Sequence, residues 1–310
     1  MNTAIIICVE EGFLEEQAKL LINSINQFAS NGNINLIAFS PRSGFYPSQE
    51  TCDFFTKNNV IHIKENLNID YLDYPIANKV IACDYVEKNF PQFDSFMFVD
   101  TDTIFLNPID AKLLQTHNKL YVRPVDNKGP GSGGKGDEND KFWQEVFSLF
   151  DLSLPPASMT TTVRPHFTRP YYNAGFIWAN GLPGFFTQWK KDFYKLVSSG
   201  LRPYGYQSRD NTDFRCLDQI ALAVTTHRFE STVKILPETY NYPVPFRPIL
   251  KQRDNHPEFN ELVHVHYHKW FQHPGFLDYV TSELEKQSEQ YLWLKEHLPL
   301  LPKISGRFKC

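Results

Sequence analysis

The chain has 310 residues, of which 31 are Lys or Arg and 35 are Asp or Glu, so its formal net charge at pH 7 is −4. Because the charge is acidic and no basic stripe runs along the sequence, the composition argues against a nucleic-acid-binding protein that neutralises phosphates. The length is sufficient for a large hydrophobic core. Aromatic residues make up 15% of the chain, and we expect most of them to lie in this core.

The cysteines and the apolar segments bear on the cellular location of the protein. The five cysteines form no close pair and no metal-type spacing, which predicts reduced thiols; they are Cys8, Cys52, Cys83, Cys216 and Cys310. The apolar run at residues 4–9 is too short for a signal peptide and lacks a basic leader. No stretch approaches the roughly 18 apolar residues of a membrane-spanning helix. We therefore expect a soluble, cytoplasmic protein without a transmembrane segment, and contact with a membrane surface stays an open alternative.

The first hundred residues alternate between short apolar strands and amphipathic helices. Strands are predicted at residues 4–9, 34–39, 60–63 and 96–99, and helices at 14–28, 48–55 and 76–90, with Asn31-Gly32-Asn33 ending the first helix. This order predicts an α/β fold in which a mostly parallel sheet carries helices on both faces. In such sheets, ligands bind beyond the carboxyl ends of the strands.

The rest of the chain is less regular. Helices are predicted at residues 142–150, 185–197, 217–224 and 276–297, strands at 176–179, 233–236 and 262–267, and an irregular loop at 152–170. Residues 128–136 are rich in glycine but lack the strand–GxxxxGK[ST]–helix context of a phosphate loop. We expect them to form a mobile surface loop, with a lid as the alternative. Because no internal repeat or interdomain linker is recognisable, we expect residues 1–310 to form one compact unit with two lobes.

Asp100-Thr101-Asp102 is the most informative motif, because it directly follows the buried-strand pattern of residues 95–99. Burying an unpaired carboxylate costs several kcal/mol, so two of them beside core residues require compensation. At the carboxyl end of a strand, a divalent metal that holds a diphosphate would provide it, and oxygen ligands suit Mg²⁺ or Mn²⁺. The alternative interpretation is an ordinary turn after a strand, where Asp is common.

Three histidines alternate near the end of the chain, at His264, His266 and His268, and Lys269 follows them. Alternation places the three imidazoles on one face of a strand, where they could bind zinc. A single imidazole that joins the two aspartates around Mn²⁺ is a second interpretation, and partly buried histidines bonded to the backbone are a third. Lys269 would place a cation beside a diphosphate.

Two further groups of polar residues stand next to predicted elements. Asn173 precedes the strand at residues 176–179, and Ala174 and Gly175 would let the backbone and the amide approach a ligand closely. An ordinary turn is the alternative there. Asp218-Gln219 opens an apolar helix, either as charge that complements the helix dipole or as polar groups that contact a sugar.

Taken in order, these motifs resemble those of GT-A glycosyltransferases, and most of all those of the glycogenin and galactosyltransferase-type family 8 enzymes. Asp100-Thr101-Asp102 is similar to the family's DxD motif, Asn173-Ala174-Gly175 to its NxG segment and Asp218-Gln219 to its DQ pair. The segment from His266 to Trp270 resembles the closing His–Lys–Trp motif but lacks the Gly usually found between His and Lys, which leaves His264 as a rival metal ligand. The resemblance spans most of residues 3–270.

The resemblance implies the GT-A (Rossmann-like) fold, with a mostly parallel central sheet flanked by helices and a smaller mixed lobe on the acceptor side. Residues 1–120 would form the half that binds the nucleotide sugar. Residues 121–275 would bind the acceptor and complete the metal site, and residues 276–310 would form a C-terminal helix and tail.

The resemblance also implies a role for each motif. Mn²⁺ (or Mg²⁺) would be held by Asp100, Asp102 and His266 on the diphosphate of a nucleotide sugar, which the family implies is a UDP-sugar. The residues implied to contact this donor are Lys79, Asp100, Thr101, Asp102 and Lys269. The resemblance implies that the catalytic residues, which would line the reaction centre, are Asn173, Asp218 and Gln219.

The implied reaction is transfer of a hexose from the donor to an acceptor, with retention of the anomeric configuration. An inverting enzyme would need a general base on the acceptor, for which Asp213 and Asp218 are the alternatives. The acceptor stays open among a glycan, a lipid, a protein and a small metabolite.

Two other functions stay open on the sequence alone. One is a non-catalytic protein that binds a nucleotide sugar or a carbohydrate on the same fold. The other is a phosphohydrolase of the haloacid dehalogenase type, which also places Asp-x-Asp after an apolar strand. In those enzymes the motif runs Asp-x-Asp-x-Thr/Val on an early strand, whereas here Ile104 occupies the fifth position and three βα units come first.

Overall fold

The structure, a computed structural model, describes residues 2–29, 34–205 and 215–301. The expected helix stop at residues 31–33 and the alternative base Asp213 lie outside the described residues, as does Cys310. The described strands are β1 (Thr3–Cys8), β2 (Ile34–Ser40), β3 (Ile61–Lys64), β4 (Ser95–Val99), β5 (Thr103–Phe105), β6 (Lys119–Val122), β7 (Met159–Thr160), β8 (Phe167–Thr168), β9 (Phe176–Asn180), β10 (Val233–Ile235), β11 (Tyr242–Pro243) and β12 (His264–His266).

Helices occupy most of the segments between the strands. The described α-helices are α1 (Phe13–Ser24), α2 (Gln49–Lys57), α3 (Ala77–Asn89), α4 (Ala111–Gln115), α5 (Asp140–Leu149), α6 (Phe185–Ser198), α7 (Leu217–Arg228), α8 (Arg247–Leu250), α9 (Phe276–Val280) and α10 (Glu289–His297). A π-helical turn at Ile25–Ala29 extends α1. Short 3₁₀ turns lie at Glu230–Thr232, Val244–Phe246, Phe259–Glu261, Trp270–Gln272 and Glu285–Gln287.

The central sheet confirms the predicted α/β fold. Within the described residues it has seven strands in the order β10-β6-β9-β4-β1-β2-β3, and β9 runs antiparallel to both of its neighbours while the other pairs are parallel. Alternate residues of β1 face opposite sides: Ala4 and Ile6 join the apolar cluster that includes α3 and α6, and Ile5 and Ile7 join the cluster that includes α1. Both faces of the sheet are therefore covered, and the carboxyl ends of the neighbouring strands β1 and β4 lie at the same edge of the sheet.

A smaller mixed sheet lies beside that edge. Among the described residues it contains three strands in the order β11-β12-β5, with β12 parallel to β11 and antiparallel to β5. β5 begins directly after Asp102, and its register places Thr103 opposite His266. The pairing of β5 with β12 thus carries the histidine segment from the far end of the sequence to the end of β4.

The prediction of one helix over residues 276–297 is wrong, because the structure has α9, a 3₁₀ turn and α10 there. Glu285 lies between the two helices. It forms a buried ion pair with Arg247 and accepts a hydrogen bond from the Phe259 N–H at 2.8 Å. A new helix begins at Ser288, whose hydroxyl accepts from the Tyr291 N–H at 3.3 Å. Tertiary pairing of Glu285 therefore overrides the helical pattern.

Part of the glycine-rich stretch is packed against the protein, whereas residues 129, 133, 135 and 136 are exposed, as expected for a surface loop. Residues 130–132 are buried, the Ser132 hydroxyl donates to Asp140 at 3.0 Å, and Lys128 forms an ion pair with Asp137 at 2.8 Å. A Cβ on Gly131 would approach the Lys128 carbonyl oxygen to 2.8 Å, so this turn requires glycine. The lid alternative stays a prediction.

None of the helices in the described ranges has both the length and the apolar character needed to cross a membrane.

The position of β5 depends on one buried hydroxyl. Ser24, at the end of α1, is fully buried, donates to the Leu21 carbonyl at 2.7 Å and accepts from the Phe105 N–H at 3.0 Å. This contact joins α1 to the small sheet that carries His266.

We expect Ser24→Ala to lower the free energy of unfolding by about 1–3 kcal/mol, because it leaves the buried Phe105 N–H without a partner. Urea denaturation followed by circular dichroism measures the change. Ser43→Ala, at an exposed serine, is the control and should stay within about 0.5 kcal/mol. Equal stability of both variants would contradict the role of Ser24.

Candidate active site

The site lies at the carboxyl end of β4, in a cavity of about 430 Å³. The backbone of the Asp100-Thr101-Asp102 turn is fixed by three hydrogen bonds: the Asp100 N–H donates to Gly175 O at 2.9 Å, the Thr103 hydroxyl to Asp100 O at 2.5 Å and the Tyr267 N–H to Asp102 O at 3.0 Å. Thr101 itself is buried. The predicted donor-contact residues that line the cavity are Lys79, Asp100, Thr101, Asp102 and Lys269.

Lys79 links two acidic residues that are far apart in the sequence. It lies in the first turn of α3, and its Nζ is 2.8 Å from Asp100 Oδ1 and 3.7 Å from Asp218 Oδ2. Nζ also donates to the Ala174 carbonyl at 3.3 Å. Burial alone would lower the pKa of Lys79, but the charges of Asp100 and Asp218 outweigh it and raise that pKa above its ordinary value. Lys79 is therefore a fixed cation between two carboxylates.

Asp218 is buried at the start of α7, as the sequence predicted. The Tyr74 hydroxyl donates to its Oδ1 at 3.4 Å. Burial raises the pKa of Asp218. The positive charge of Lys79 lowers this pKa and the negative charge of Asp100 raises it, and the net result is a pKa above the usual value for Asp. Gln219 follows in the same helical turn and is half-buried.

Asp102 lies between two imidazoles. His266 Nε2 is 3.1 Å from Asp102 Oδ1, and His268 Nδ1 is 3.7 Å from Asp102 Oδ2. Burial would raise the pKa of Asp102, but the charge and hydrogen bond of His266 hold it well below the usual range. In the same way, burial would lower the pKa of His266, but Asp102 raises it to about 9. Ligand atoms of Asp102, His266 and His268 all lie within 4.8 Å of one another.

Gly175 leaves a space that the nearby side chains surround. A Cβ on this buried glycine would be 2.9 Å from Asp100 Oδ2, 2.9 Å from His266 Cε1 and 3.0 Å from Asn173 Oδ1. Asn173 Oδ1 accepts from the Gly175 N–H at 2.7 Å, which orients the amide toward the space. The structure thus brings Asn173, Asp100 and His266 together at one point.

The donor set at this point fits a divalent cation. Carboxylate and amide oxygens suit Mg²⁺ and Mn²⁺, and imidazole adds affinity for later transition metals. His266 Nδ1 is buried and has no hydrogen-bond partner among the described residues, so one ring nitrogen is uncommitted. Asp102 and His266 belong to the group of close ligand atoms, whereas Asp100 pairs with Lys79 and is not in that group, so the expected set of Asp100, Asp102 and His266 stays a prediction.

His264 is placed differently from the other two histidines. Its ring is fully buried between Phe105 and Phe176, with centroid distances of 4.7 and 4.8 Å. Burial holds the pKa of His264 well below its ordinary value. Within the described part of the chain, neither of its ring nitrogens has a hydrogen-bond partner, and it is not in the group formed by Asp102, His266 and His268. The structure therefore does not bring three imidazoles together as a zinc site would require.

The structure adds residues that the sequence analysis did not single out. Glu10 lines the cavity, forms a buried ion pair with Arg42 and accepts from Asn78 Nδ2 at 2.8 Å. Asp126 follows β6 in the sequence. Burial raises the pKa of its carboxyl, and the charges of the nearby imidazoles of His266 and His268 lower that pKa. The apolar pattern of β6 was the available signal for Asp126. No local sequence signal marks the Glu10–Arg42 pair.

Two solved structures share the fold along almost the whole chain. The galactosyltransferase LgtC, in complex with donor and acceptor sugar analogues, is 12% identical with a TM-score of 0.52, over 95% of this chain and 96% of LgtC. The apo structure of the bifunctional glycosyltransferase WbbM is 12% identical with a TM-score of 0.51, over 96% of this chain. The matched part is 52% of WbbM, so this chain spans about half of that protein. At 12% identity, these matches show that the chain has the GT-A fold of these two glycosyltransferases.

The chain belongs to the family described as the Rhodobacterales glycosyltransferase domain, whose model matches residues 5–230. The match includes Lys79, Asp100, Asp102, Asn173 and Asp218 and ends before β12, so the histidine segment lies outside it. No curated protein sequence matches the chain. The protein is thus a glycosyltransferase.

We expect Gly175→Ala to weaken binding of Mn²⁺ about 10-fold or more, because the new Cβ displaces Asp100, His266 or Asn173. Gly175 does not need a left-handed backbone, so the alanine should be tolerated conformationally. Calorimetric titration with Mn²⁺ measures the affinity, and thermal unfolding checks that the variant is folded. A folded variant with wild-type affinity would show that the space beside Gly175 is not part of the metal site.

Proposed function

We propose that the protein is a metal-dependent hexosyltransferase that uses a UDP-sugar and retains the anomeric configuration. The observation that carries this proposal is the pair of linked charge clusters at the end of β4. Lys79 lies between Asp100 and Asp218, and the imidazole of His266 lies against Asp102, whose carboxylate lines the same cavity as Lys79 and Asp100. The proposed donor would thus meet cations and carboxylates at the wall of this cavity.

The residues proposed to hold the metal are Asp100, Asp102 and His266. Mn²⁺ or Mg²⁺ would neutralise the negative charge that develops on the leaving nucleoside diphosphate. Lys79 and Thr101 lie on the inner wall of the cavity, and Lys269 is an exposed cation on its rim. Lys269 is therefore placed to meet phosphate oxygens from the solvent side, while Lys79 fixes the orientation of Asp100 beneath them.

The residues proposed to act at the reaction centre are Asn173, Asp218 and Gln219. Charge develops on the sugar in an oxocarbenium-like transition state, which carboxylate and amide oxygens stabilise. Asp218 is oriented by Lys79 and by the Tyr74 hydroxyl. Retention of the anomeric configuration is proposed from the resemblance to the family 8 enzymes.

The other functions that the sequence left open lose support. Membership in a glycosyltransferase family argues against both the phosphohydrolase and a binding protein without turnover. We keep the proposal of a cytoplasmic location because the described cysteines Cys8, Cys52, Cys83 and Cys216 form no disulfide.

A donor screen tests the function. The full chain is incubated with UDP-glucose, UDP-galactose, GDP-mannose or dTDP-glucose, with Mn²⁺ or with EDTA, and thermal stabilisation and release of the nucleoside diphosphate are measured. We expect a UDP-sugar to stabilise the protein and to be hydrolysed slowly in Mn²⁺ alone. Metal-dependent binding without hydrolysis or transfer for every donor and acceptor tried would favour a binding protein. Turnover that is equal in EDTA would contradict metal dependence.

We expect Asp102→Asn to weaken Mn²⁺-dependent donor binding at least about 10-fold while the protein keeps its fold, because the variant lacks a charged ligand but keeps the side-chain shape. Calorimetry with the UDP-sugar found in the screen measures the affinity. Asp254→Asn, at an exposed aspartate, is the matched control and should bind as the wild type does. Normal donor binding by the Asp102 variant would show that the metal assignment is wrong.

A further inference from the structure

His268 is not among the residues proposed above to hold the metal, yet it completes the closest group of ligand atoms in the site. Its Nδ1 faces Asp102 Oδ2 at 3.7 Å, and the ligand atoms of Asp102, His266 and His268 lie within 4.8 Å of one another. A separation of 3.7 Å is longer than a hydrogen bond but within ion-pair distance, so the imidazole and the carboxylate face each other with room for an ion between them and the nearby His266.

The backbone at His268 is in an uncommon conformation. Its φ is +54°, in the left-handed region, which costs a non-glycine residue about 1–2 kcal/mol. The turn directly follows β12 and is fixed by two hydrogen bonds, from the Tyr267 N–H to Asp102 O at 3.0 Å and from the Trp270 N–H to Tyr267 O at 3.0 Å. A strained residue that is held on both sides points to a requirement for the position of its side chain.

The strained turn brings two imidazoles close together. In a regular strand, residues two apart are separated by about 6.6 Å along the chain. Here the ring centroids of His266 and His268 are 4.1 Å apart, with an angle of 37° between the ring planes. His266 is buried, whereas His268 and Asp102 are partly exposed, so solvent can reach the group of ligand atoms from the side of His268 and Asp102.

We propose that His268 is a further protein ligand of the metal, beside Asp102 and His266, and that the pair of imidazoles sets the metal preference of the site. Two imidazoles and a carboxylate favour Co²⁺, Ni²⁺ and Zn²⁺ over Mg²⁺ and Ca²⁺, with Mn²⁺ between them, because nitrogen ligands suit later transition metals and Mg²⁺ prefers oxygen ligands. The inference rests on the metal site of the proposed function. It adds to that function a preference against Mg²⁺.

Metal binding in the absence of nucleotide tests the inference. The full chain is stripped with EDTA, dialysed and titrated calorimetrically with Co²⁺, Mn²⁺ and Mg²⁺, and the visible absorption of bound Co²⁺ reports its ligands. We expect the wild type to bind Co²⁺ at least 10-fold more tightly than Mg²⁺. His268→Asn should weaken Co²⁺ binding about 10–100-fold and change the Co²⁺ spectrum, while Mg²⁺ binding changes little.

The variants separate ligation from a structural role. Asn tolerates a left-handed backbone, so His268→Asn should keep the fold, which thermal unfolding checks. His273→Asn, at an exposed imidazole five residues further on, is the matched control and should leave both the Co²⁺ affinity and the spectrum unchanged. A folded His268→Asn variant with wild-type Co²⁺ affinity, or a wild type that binds Mg²⁺ as tightly as Co²⁺, would overturn the inference.

The same measurements distinguish this inference from the proposed function. If Co²⁺ binds through His268 but no nucleotide sugar is turned over with any metal, the function is wrong and the metal site stands. If metal-dependent sugar transfer is found and His268→Asn leaves Co²⁺ binding unchanged, the function stands and the role of His268 is wrong.

Discussion

The compensation of negative charge at the end of β4 is the constraint on which the rest of the site depends. Asp100, Asp102 and Asp218 lie near one another where the sheet ends, and a carboxylate that is partly removed from water without a partner costs several kcal/mol. The chain compensates this charge with residues from distant segments. Lys79, from α3, serves Asp100 and Asp218, and His266, from β12, serves Asp102. Folding of the helix layer and of the small sheet is therefore coupled to the charges that the proposed chemistry needs.

The site lies between two sheets, and its geometry follows from how they are connected. Asp100 and Asp102 end a strand of the large sheet, whereas His266 belongs to a strand that pairs with β5 of the small sheet. The junction to α1 is formed by the Ser24 hydroxyl bond to the Phe105 N–H and by apolar packing of Leu20 and Leu21 with the side chains of β5. Gly175 then keeps the space between the two sheets free of a side chain. A change in the register of β5 against β12 would remove the imidazole from the carboxylate without altering any residue of the acidic motif.

Regular elements could be predicted from the sequence, while contacts between distant segments could not. The strands and helices of the first hundred residues have clear periodicity, and the end of β4 was located from the apolar run at residues 95–99 and the Asp100-Thr101-Asp102 motif that follows it. The closing histidine segment was recognised, but the role of each imidazole depends on the left-handed turn at His268, which no composition signal marks. The break in the helix predicted at residues 276–297 has the same cause. It depends on the pairing of Glu285 with Arg247, which is 38 residues earlier in the chain.

The charges of the site also indicate how metal and donor would depend on each other. In the structure, Lys79 and a His266 whose pKa is about 9 already balance much of the charge of the three carboxylates at neutral pH. A dication that binds His266 must displace its proton and also lies near the Lys79 charge, so both oppose binding of the dication alone, and a diphosphate alone meets three carboxylates. Together the two ligands neutralise each other, so each should bind more tightly in the presence of the other, and linkage requires this coupling to be reciprocal. On the proposed function, the same charge pairing that lets the carboxylates be buried would make the enzyme select the metal–donor complex over either component.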